Sequence, residues 1–486
     1  MKKILLAFLS VLILLAGILV GNAFRFPSRQ LAGIDAVAVK TRSGAADRLA
    51  GAIRFPSISA YGWVDTAALL GLHAYLDSTF PGVAATLEKE PVNGLSLLYH
   101  WQGRQPDLKP VVLLGHLDVV PPDTATLAQW QYPPFAGRVD ENFIYGRGSM
   151  DDKSSVVAIL EAIDMLIAAG YRPARSLYLA FGHDEETGGT DGAVQLAARL
   201  QALGVEAEFV LDEGGFVMPG TVPGVEKPVA LVGIAEKGGV NLRLTCAGEG
   251  GHSSMPPHQT AVGILSAAIA RLEAHPFPPR MGGTISTFFD YAGPEMKPGL
   301  RLVFANRWLF GPLIRSILEK KQTTRASIRT TTAVTVIRGG VKANVLPTEA
   351  TAIANFRIIP GETADDVLAY VRRTIADDRV QVEIHDLVGN PSTVSDPESA
   401  GFRHIQQAAH ETLGDIVVVP YLVIANTDAR HYEGISAQIF RFLPLHIPPE
   451  DLPRMHGMDE RITVVGHEQA IHFYHQLIQH ATRESL

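Results

Sequence analysis

The feature that most constrains the fold is a repeated arrangement: a short apolar run, built like a buried strand, ends in a histidine or a carboxylate. Ser176-Leu177-Tyr178-Leu179-Ala180 leads into Phe181-Gly182-His183-Asp184-Glu185-Glu186-Thr187-Gly188-Gly189. Pro110-Val111-Val112-Leu113-Leu114 delivers Gly115-His116-Leu117-Asp118, and Glu208-Phe209-Val210-Leu211 delivers Asp212-Glu213-Gly214-Gly215. Runs of this length suit strands, and residues 154–169 and 192–203 between them have helical apolar spacing. That order predicts βαβ units. Their polar strand ends then collect at one edge of a sheet, where open α/β sheets bind ligands.

The residue types at that edge suggest a metal. Adjacent Glu185 and Glu186 repel each other and gain nothing in a core. A cation resolves the conflict by taking one carboxylate as a ligand and leaving the other free as a base. His116 and Asp118 lie two apart, so in extended chain they share a face. A carboxylate behind a liganding imidazole fixes its tautomer and raises its basicity. Asp151, in Gly146-Arg147-Gly148-Ser149-Met150-Asp151-Asp152-Lys153, suits either a cap for the following helix or a bridge between two cations. The one cysteine, Cys246, excludes an internal disulfide framework and a thiolate metal site, so any metal is held by His, Asp and Glu. Of the 17 histidines, His456 stands out in a Gly/Met/Pro loop, whereas His467, His472, His475 and His480 read as the surface of a terminal helix. A formal net charge of −8 argues against a nucleic-acid partner.

At 486 residues the chain exceeds the size at which single cores stop growing. The texture changes at Gly238-Gly239, where Val240 to Cys246 alternates as an antiparallel strand with one wet face does. The expected divisions are a catalytic α/β domain with a mixed sheet over 45–237 and 387–486, interrupted by an inserted α+β lid over 238–386. Gly238-Gly239 and the junction near residue 386 are the expected hinges. Residues 276–325 break the lid's rhythm and read as an insertion, with aromatic and basic residues suited to a cover or a contact surface.

Residues 1–24 stand apart. Lys2-Lys3 precede an uncharged apolar run from Ile4 to Val20, close to the ~20 residues a membrane helix needs. The lysines place the N-terminus in the cytoplasm and the body outside it. An uncleaved anchor is expected; Gly21-x-Ala23 also resembles a signal-peptidase site, whose use would leave a soluble exported body.

Taken together, the sequence resembles the M20 family of zinc metallopeptidases and amidohydrolases from about residue 50 to its end. Gly115-His116-Leu117-Asp118, Gly146-Arg147-Gly148-x-x-Asp151, Asp184-Glu185-Glu186, Asp212-Glu213-Gly214, Gly251-His252-Ser253 and His456-Gly457 occur in the family's order. Asn426-Thr427-Asp428-x-Arg430-His431-Tyr432, the long insertion and the apolar N-terminus are most similar to the carboxypeptidase S and N-acyl-amino-acid hydrolase branch. The resemblance implies a zinc-peptidase fold and two Zn²⁺ per chain, with Co²⁺ or Mn²⁺ as possible substitutes. His116 and Asp212 would hold one ion, Glu186 and His456 the other, and Asp151 both. Glu185 would be the base, Asp118 the orienter of His116, and His252 the lid's oxyanion stabiliser. Asn344, Arg357 and Arg430 are the expected contacts to the substrate, a small peptide or an N-acyl amino acid; the two arginines match family positions near it, against the ordinary explanations of a surface ion pair for Arg357 and a pairing of Arg430 with Asp428. The competing expectations are a non-catalytic binding protein on the same fold, which an intact base beside intact ligands disfavours, and serine nucleophile catalysis. Ser253-Ser254 lacks the strand-to-helix elbow for the latter.

Overall fold

The computed structural model describes residues 1–60 and 62–484. Its centre is a nine-stranded mixed sheet. Ile439–Arg441, Phe209–Asp212, Val111–His116 and Leu177–Gly182 run parallel side by side. Ser96–Trp101 and Glu88–Val92 continue one side antiparallel. Val229–Glu236 and Val417–Val423 lie on the other side as a parallel pair. The central strands are buried on both faces, as parallel strands between helices must be. Lys153–Ala168, Ala400–Thr412 and the terminal helix Val464–Thr482 cover the sheet. His116 ends one strand, Asp212 ends another, and Glu185-Glu186 form a short turn just past a third. Because those strands are parallel, all three ends share one edge.

The inserted segment expected to act as a lid, called the lid below, is built on a four-stranded antiparallel sheet in the order 331–339, 349–358, 238–247, 380–389. Helices Ala261–Ala274 and Ala364–Ile375 pack on one face around Val240, Leu242, Leu244 and Phe356. A single residue, Lys237, separates the last residue of Val229–Glu236 from the first lid strand. On the return, Gly389 still pairs with Gly239, so the lid sheet runs three residues past the expected junction at 386.

Residues 284–327 are helical throughout most of their length and do not join the lid sheet. Ile285, Phe289, Ile314 and Ile328 make a small core of their own. Tyr291 enters the main core, edge-on to Phe402 at 5.7 Å. The N-terminal helix Lys2–Phe24 buries none of its residues and is long and apolar enough to cross a membrane. Behind it, Gln30 zips onto Val418 with both amide atoms (2.8 and 2.9 Å), covering a strand edge that would otherwise be open to pairing.

One surface expectation is corrected. The tail histidines are not a solvated face, because their helix lies between Ala400–Thr412 and Lys153–Ala168. His467 is fully buried, His480 lies 2.7 Å from Glu411, and His472 lies 2.7 Å from the Thr41 hydroxyl. Helical spacing alone did not reveal that this helix has neighbours on two sides.

Candidate metal centre and substrate site

Asp151, Glu186 and His456 are carried by loops or turns whose backbone is fixed from outside, whereas His116 and Asp212 end strands. Asp118 folds back under the Glu185-Glu186 turn and accepts both turn N–H groups (3.1 and 3.2 Å), together with the Ser59 hydroxyl. Its other neighbour is His116, whose Nδ1 lies 3.3 Å from the Asp118 carboxylate and 3.0 Å from its carbonyl. One carboxylate therefore lies against both the imidazole Nδ1 and the N–H groups of the turn. The turn closes through Gly188 and Gly189 at φ 106° and 70°, and a Cβ on Gly189 would stand 2.2 Å from Asp428 Oδ1.

A second device links two loops remote in sequence. Arg147 pairs with Glu460, both buried, and donates to the carbonyls of His456 and Gly457 at 3.1 Å each. Glu460 in turn accepts the N–H groups of Met150 (2.8 Å) and Asp151 (3.3 Å). The pair clamps the Asp151 loop to the His456 loop. His456 itself sits at φ 58°, a left-handed conformation that costs a non-glycine residue roughly 1–2 kcal/mol. The Arg147 bond to its carbonyl, with the one to the Gly457 carbonyl, helps hold it there.

These loops bring four of the five expected ligands together. The two oxygens of Asp151 face different imidazoles: Oδ1 lies 2.8 Å from His116 Nε2 and Oδ2 lies 3.1 Å from His456 Nε2. His456 Nε2 is also 3.2 Å from Glu186 Oε2. Donor atoms of His116, Asp151 and Glu186 all lie within 4.8 Å of one another. Asp212 stands outside that group, its Oδ2 accepting the Ala429 N–H at 2.8 Å. The set fits a divalent cation on two counts. Its donors are all nitrogen and oxygen, as zinc, cobalt and manganese accept. And Glu186 Oε1 is buried without a hydrogen-bond partner among the described residues, as a carboxylate oxygen aimed at a cation would be.

The electrostatics follow from crowding acids with two imidazoles. Burial opposes charge on Asp151, but hydrogen bonds from His116 and His456 outweigh it and hold the carboxyl below its usual range. His456 is raised to about 10 by Asp151 and then Glu186. Burial pushes Glu185 well above the carboxylate range, with Asp428, Glu186 and Asp151 adding to it against His116. Asp212 rises to about 6 for the same first reason. Sequence reasoning gave no role to Glu213 and Asp428, which are also buried here and raised by burial.

The substrate-side candidates separate into two places. His252 and Asn344 sit together on the lid: His252 pairs with Val345, and the Asn344 carbonyl accepts Ser253 N–H at 3.2 Å. His252 is exposed, its Nδ1 accepting the Ser254 N–H and facing the Ser254 hydroxyl. No hydrogen bond joins it to the ligand cluster among the described residues. Arg357 and Arg430 lie nearer the centre. Arg357 donates to the Asn426 side chain across the lid junction, and Arg430 donates to the Gly188 carbonyl at 3.1 Å, two residues past Glu186. Burial and the charge of Arg430 both lower the Arg357 pKa, so the two guanidiniums feel each other. Neither has an acidic partner among the described residues. The ordinary explanations, a surface ion pair for Arg357 and a pairing of Arg430 with Asp428, are therefore not realised.

Residues 112–480 match the family described as Peptidase family M20/M25/M40. The chain belongs to that family. It is 41% identical to a probable carboxypeptidase S-like 2 of Dictyostelium discoideum, over 99% of this chain and 94% of that protein. It is 39% identical to the N-fatty-acyl-amino acid synthase/hydrolase PM20D1 of Xenopus tropicalis, over 100% of this chain and 96% of that protein. Its fold matches the M20 family metallo-carboxypeptidase Sso-CP2 from Sulfolobus solfataricus with a TM-score of 0.65 at 18% identity, covering 91% of this chain and all of that one. The chain is thus an enzyme of the M20 metallopeptidase type, with the α/β fold expected from its strand ends.

Proposed function

We propose that the chain hydrolyses an amide bond adjacent to a free carboxylate, using a two-cation centre, with zinc the favoured metal. The observation that carries this is the pair Arg357 and Arg430: both half-buried, neither with an acidic partner among the described residues, Arg430 bonded to the Gly188 carbonyl just past Glu186 and Arg357 bonded to Asn426, four residues before Arg430. Two planar cations in that state suit an anionic ligand, which arginine binds bidentately.

In this reading His116 and Asp212 would hold one cation, Glu186 and His456 the other, and Asp151 would serve both. Bound cations would supply acidification of a water and polarisation of the scissile carbonyl. Glu185 takes the proton of the attacking water and returns it to the leaving nitrogen, a task for which its raised pKa suits it. Asp118 holds His116 in one tautomer. His252, brought in by closure of the lid, donates to the oxyanion. The body lies outside the cytoplasm, tethered by Lys2–Phe24.

Short peptides and N-acyl amino acids present the same amide and carboxylate. Carboxypeptidase action is the first assignment; aminoacylase action is the second, favoured by full-length similarity to an N-fatty-acyl-amino acid synthase/hydrolase. Assaying purified protein on both classes, before and after chelation, tests the proposal. Hydrolysis should vanish on chelation and return with Zn²⁺ or Co²⁺. Undiminished turnover in metal-free protein would contradict it.

A further inference from the structure

The helix Arg307–Leu318 leaves an apolar face uncovered. Phe310, Ile314 and Leu318, four apart, point into the small helical core. Leu309, Leu313 and Ile317, also four apart, point away from it and are 40%, 53% and 54% exposed; Trp308 beside them is 64% exposed. A contiguous stripe of this kind on a soluble surface marks a contact site.

What covers it follows from where the helix begins. Asn306, the residue before it, is buried against the N-terminal helix: its side chain donates to the Leu19 carbonyl (2.9 Å) and accepts from the Asn22 amide (2.8 Å). Arg301 donates to the carbonyls of Ala23 (3.0 Å) and Phe26 (2.8 Å). Leu19 lies in the last turn of the apolar run, about 7–8 Å short of Phe24 at 1.5 Å per residue. A helix that starts level with Leu19 starts at the depth where hydrocarbon gives way to headgroups.

Charge agrees with that placement. The whole chain carries −8, yet residues 284–327 hold seven Lys or Arg and only three Asp or Glu. Arg315, Lys320 and Lys321, at the far end of the stripe, are exposed and have no acidic partner among the described residues. A helix with an outward tryptophan, a leucine/isoleucine stripe and free basic residues has the composition of one that lies in a membrane interface.

We propose that Arg307–Leu318 is an interfacial docking helix, seated on the anionic lipid surface of the same bilayer that Lys2–Phe24 enters. It would fix the orientation of the catalytic body against the membrane. This rests on the tethered placement of the body proposed above.

Cys246 is buried, so introduced cysteines can be labelled singly. The full chain is reconstituted in vesicles of phosphatidylcholine and phosphatidylserine, with an environment-sensitive fluorophore on Leu313→Cys or Ile317→Cys. His258→Cys, on the exposed lid loop, is the control. Labels at 313 and 317 should be quenched strongly by lipid-attached nitroxide and be several-fold less accessible to aqueous iodide than the label at 258. Iodide quenching equal to that at 258 would overturn the proposal. Shielding from both quenchers would also overturn it, by showing that protein, such as a second copy, covers the stripe. Retention of the chain on vesicles through alkaline carbonate washing is scored separately. The tether can therefore stand while the docking helix falls, or the reverse.

Discussion

Glu185 and Glu186 are adjacent in sequence, share one turn and accept no common partner; their tasks in the proposed chemistry differ. Glu186 faces His456 and lies in the ligand cluster, whereas Glu185 lies outside it. Glu185→Gln should keep the metal content and lower turnover by about 10²–10⁴. Glu186→Gln should instead release metal. Equal metal loss from both variants, read by elemental analysis, would remove the distinction. His467 offers a test at this scale that does not involve the site. Burial pushes its pKa down to about 3, with Arg48 adding. Neither ring nitrogen has a hydrogen-bond partner among the described residues. The unfolded chain takes up a proton near pH 6.5 that the native chain refuses until about 3. Stability from this group is therefore full above 6.5 and falls as pH drops through that window, by roughly 3–5 kcal/mol in all. His467→Leu should flatten the acid side of the stability curve between pH 6.5 and 3. A denaturation profile superimposable on the parent's would show that His467 is not the titrating group.

At the level of elements, the strand ends were legible because a parallel sheet converts sequence order into shared position. Each apolar run ends at the same edge, so His116, Glu185/Glu186 and Asp212 could be grouped before any contact was known. The Arg147–Glu460 clamp was not legible in that way. Its members are 313 residues apart, and each has an innocuous local explanation, a glycine loop for one and a terminal strand for the other. The burial of His467 escaped for a related reason: periodicity shows that a helix has an apolar face, not how many neighbours it has. The helical insertion was visible as a break in rhythm, but its attachment to the N-terminal helix depends on Asn306 and Arg301, which carry no pattern. The lid makes its own prediction. It joins the catalytic sheet through Lys237 and the segment after Gly389, while His252 lies exposed at its tip. If closure delivers His252 to charge that develops late, His252→Ala should lower kcat more than it raises KM. An unchanged kcat with a raised KM would reduce His252 to a positioning residue.

Across the whole molecule, two parts converge on the site proposed above. The α/β sheet carries the candidate ligand residues and the inserted segment carries Arg357 and His252; in the proposed arrangement the N-terminal helix and the helical insertion would orient the body against a membrane. Arg357 reaches across the lid junction to Asn426, which also donates to the Lys237 carbonyl at 2.9 Å. The proposed anion site would therefore span the α/β part and the inserted segment, and a substrate carboxylate there would draw them together. A half-buried guanidinium pair left without its anion is penalised more than a neutral hydrogen bond lost, so discrimination for the carboxylate should be large. Arg430→Lys should impair activity nearly as much as Arg430→Ala, because a point charge cannot reproduce two parallel bonds. The most direct measurement is kcat/KM on a matched pair of substrates that differ only in a free carboxylate or a primary amide beside the scissile bond. The carboxylate substrate should be preferred by at least about 10²-fold, short of the ~10⁴–10⁵ of fully buried polar sites because these guanidiniums are half-buried. Comparable kcat/KM on the two would contradict carboxylate recognition, and with it both the carboxypeptidase and the aminoacylase assignments.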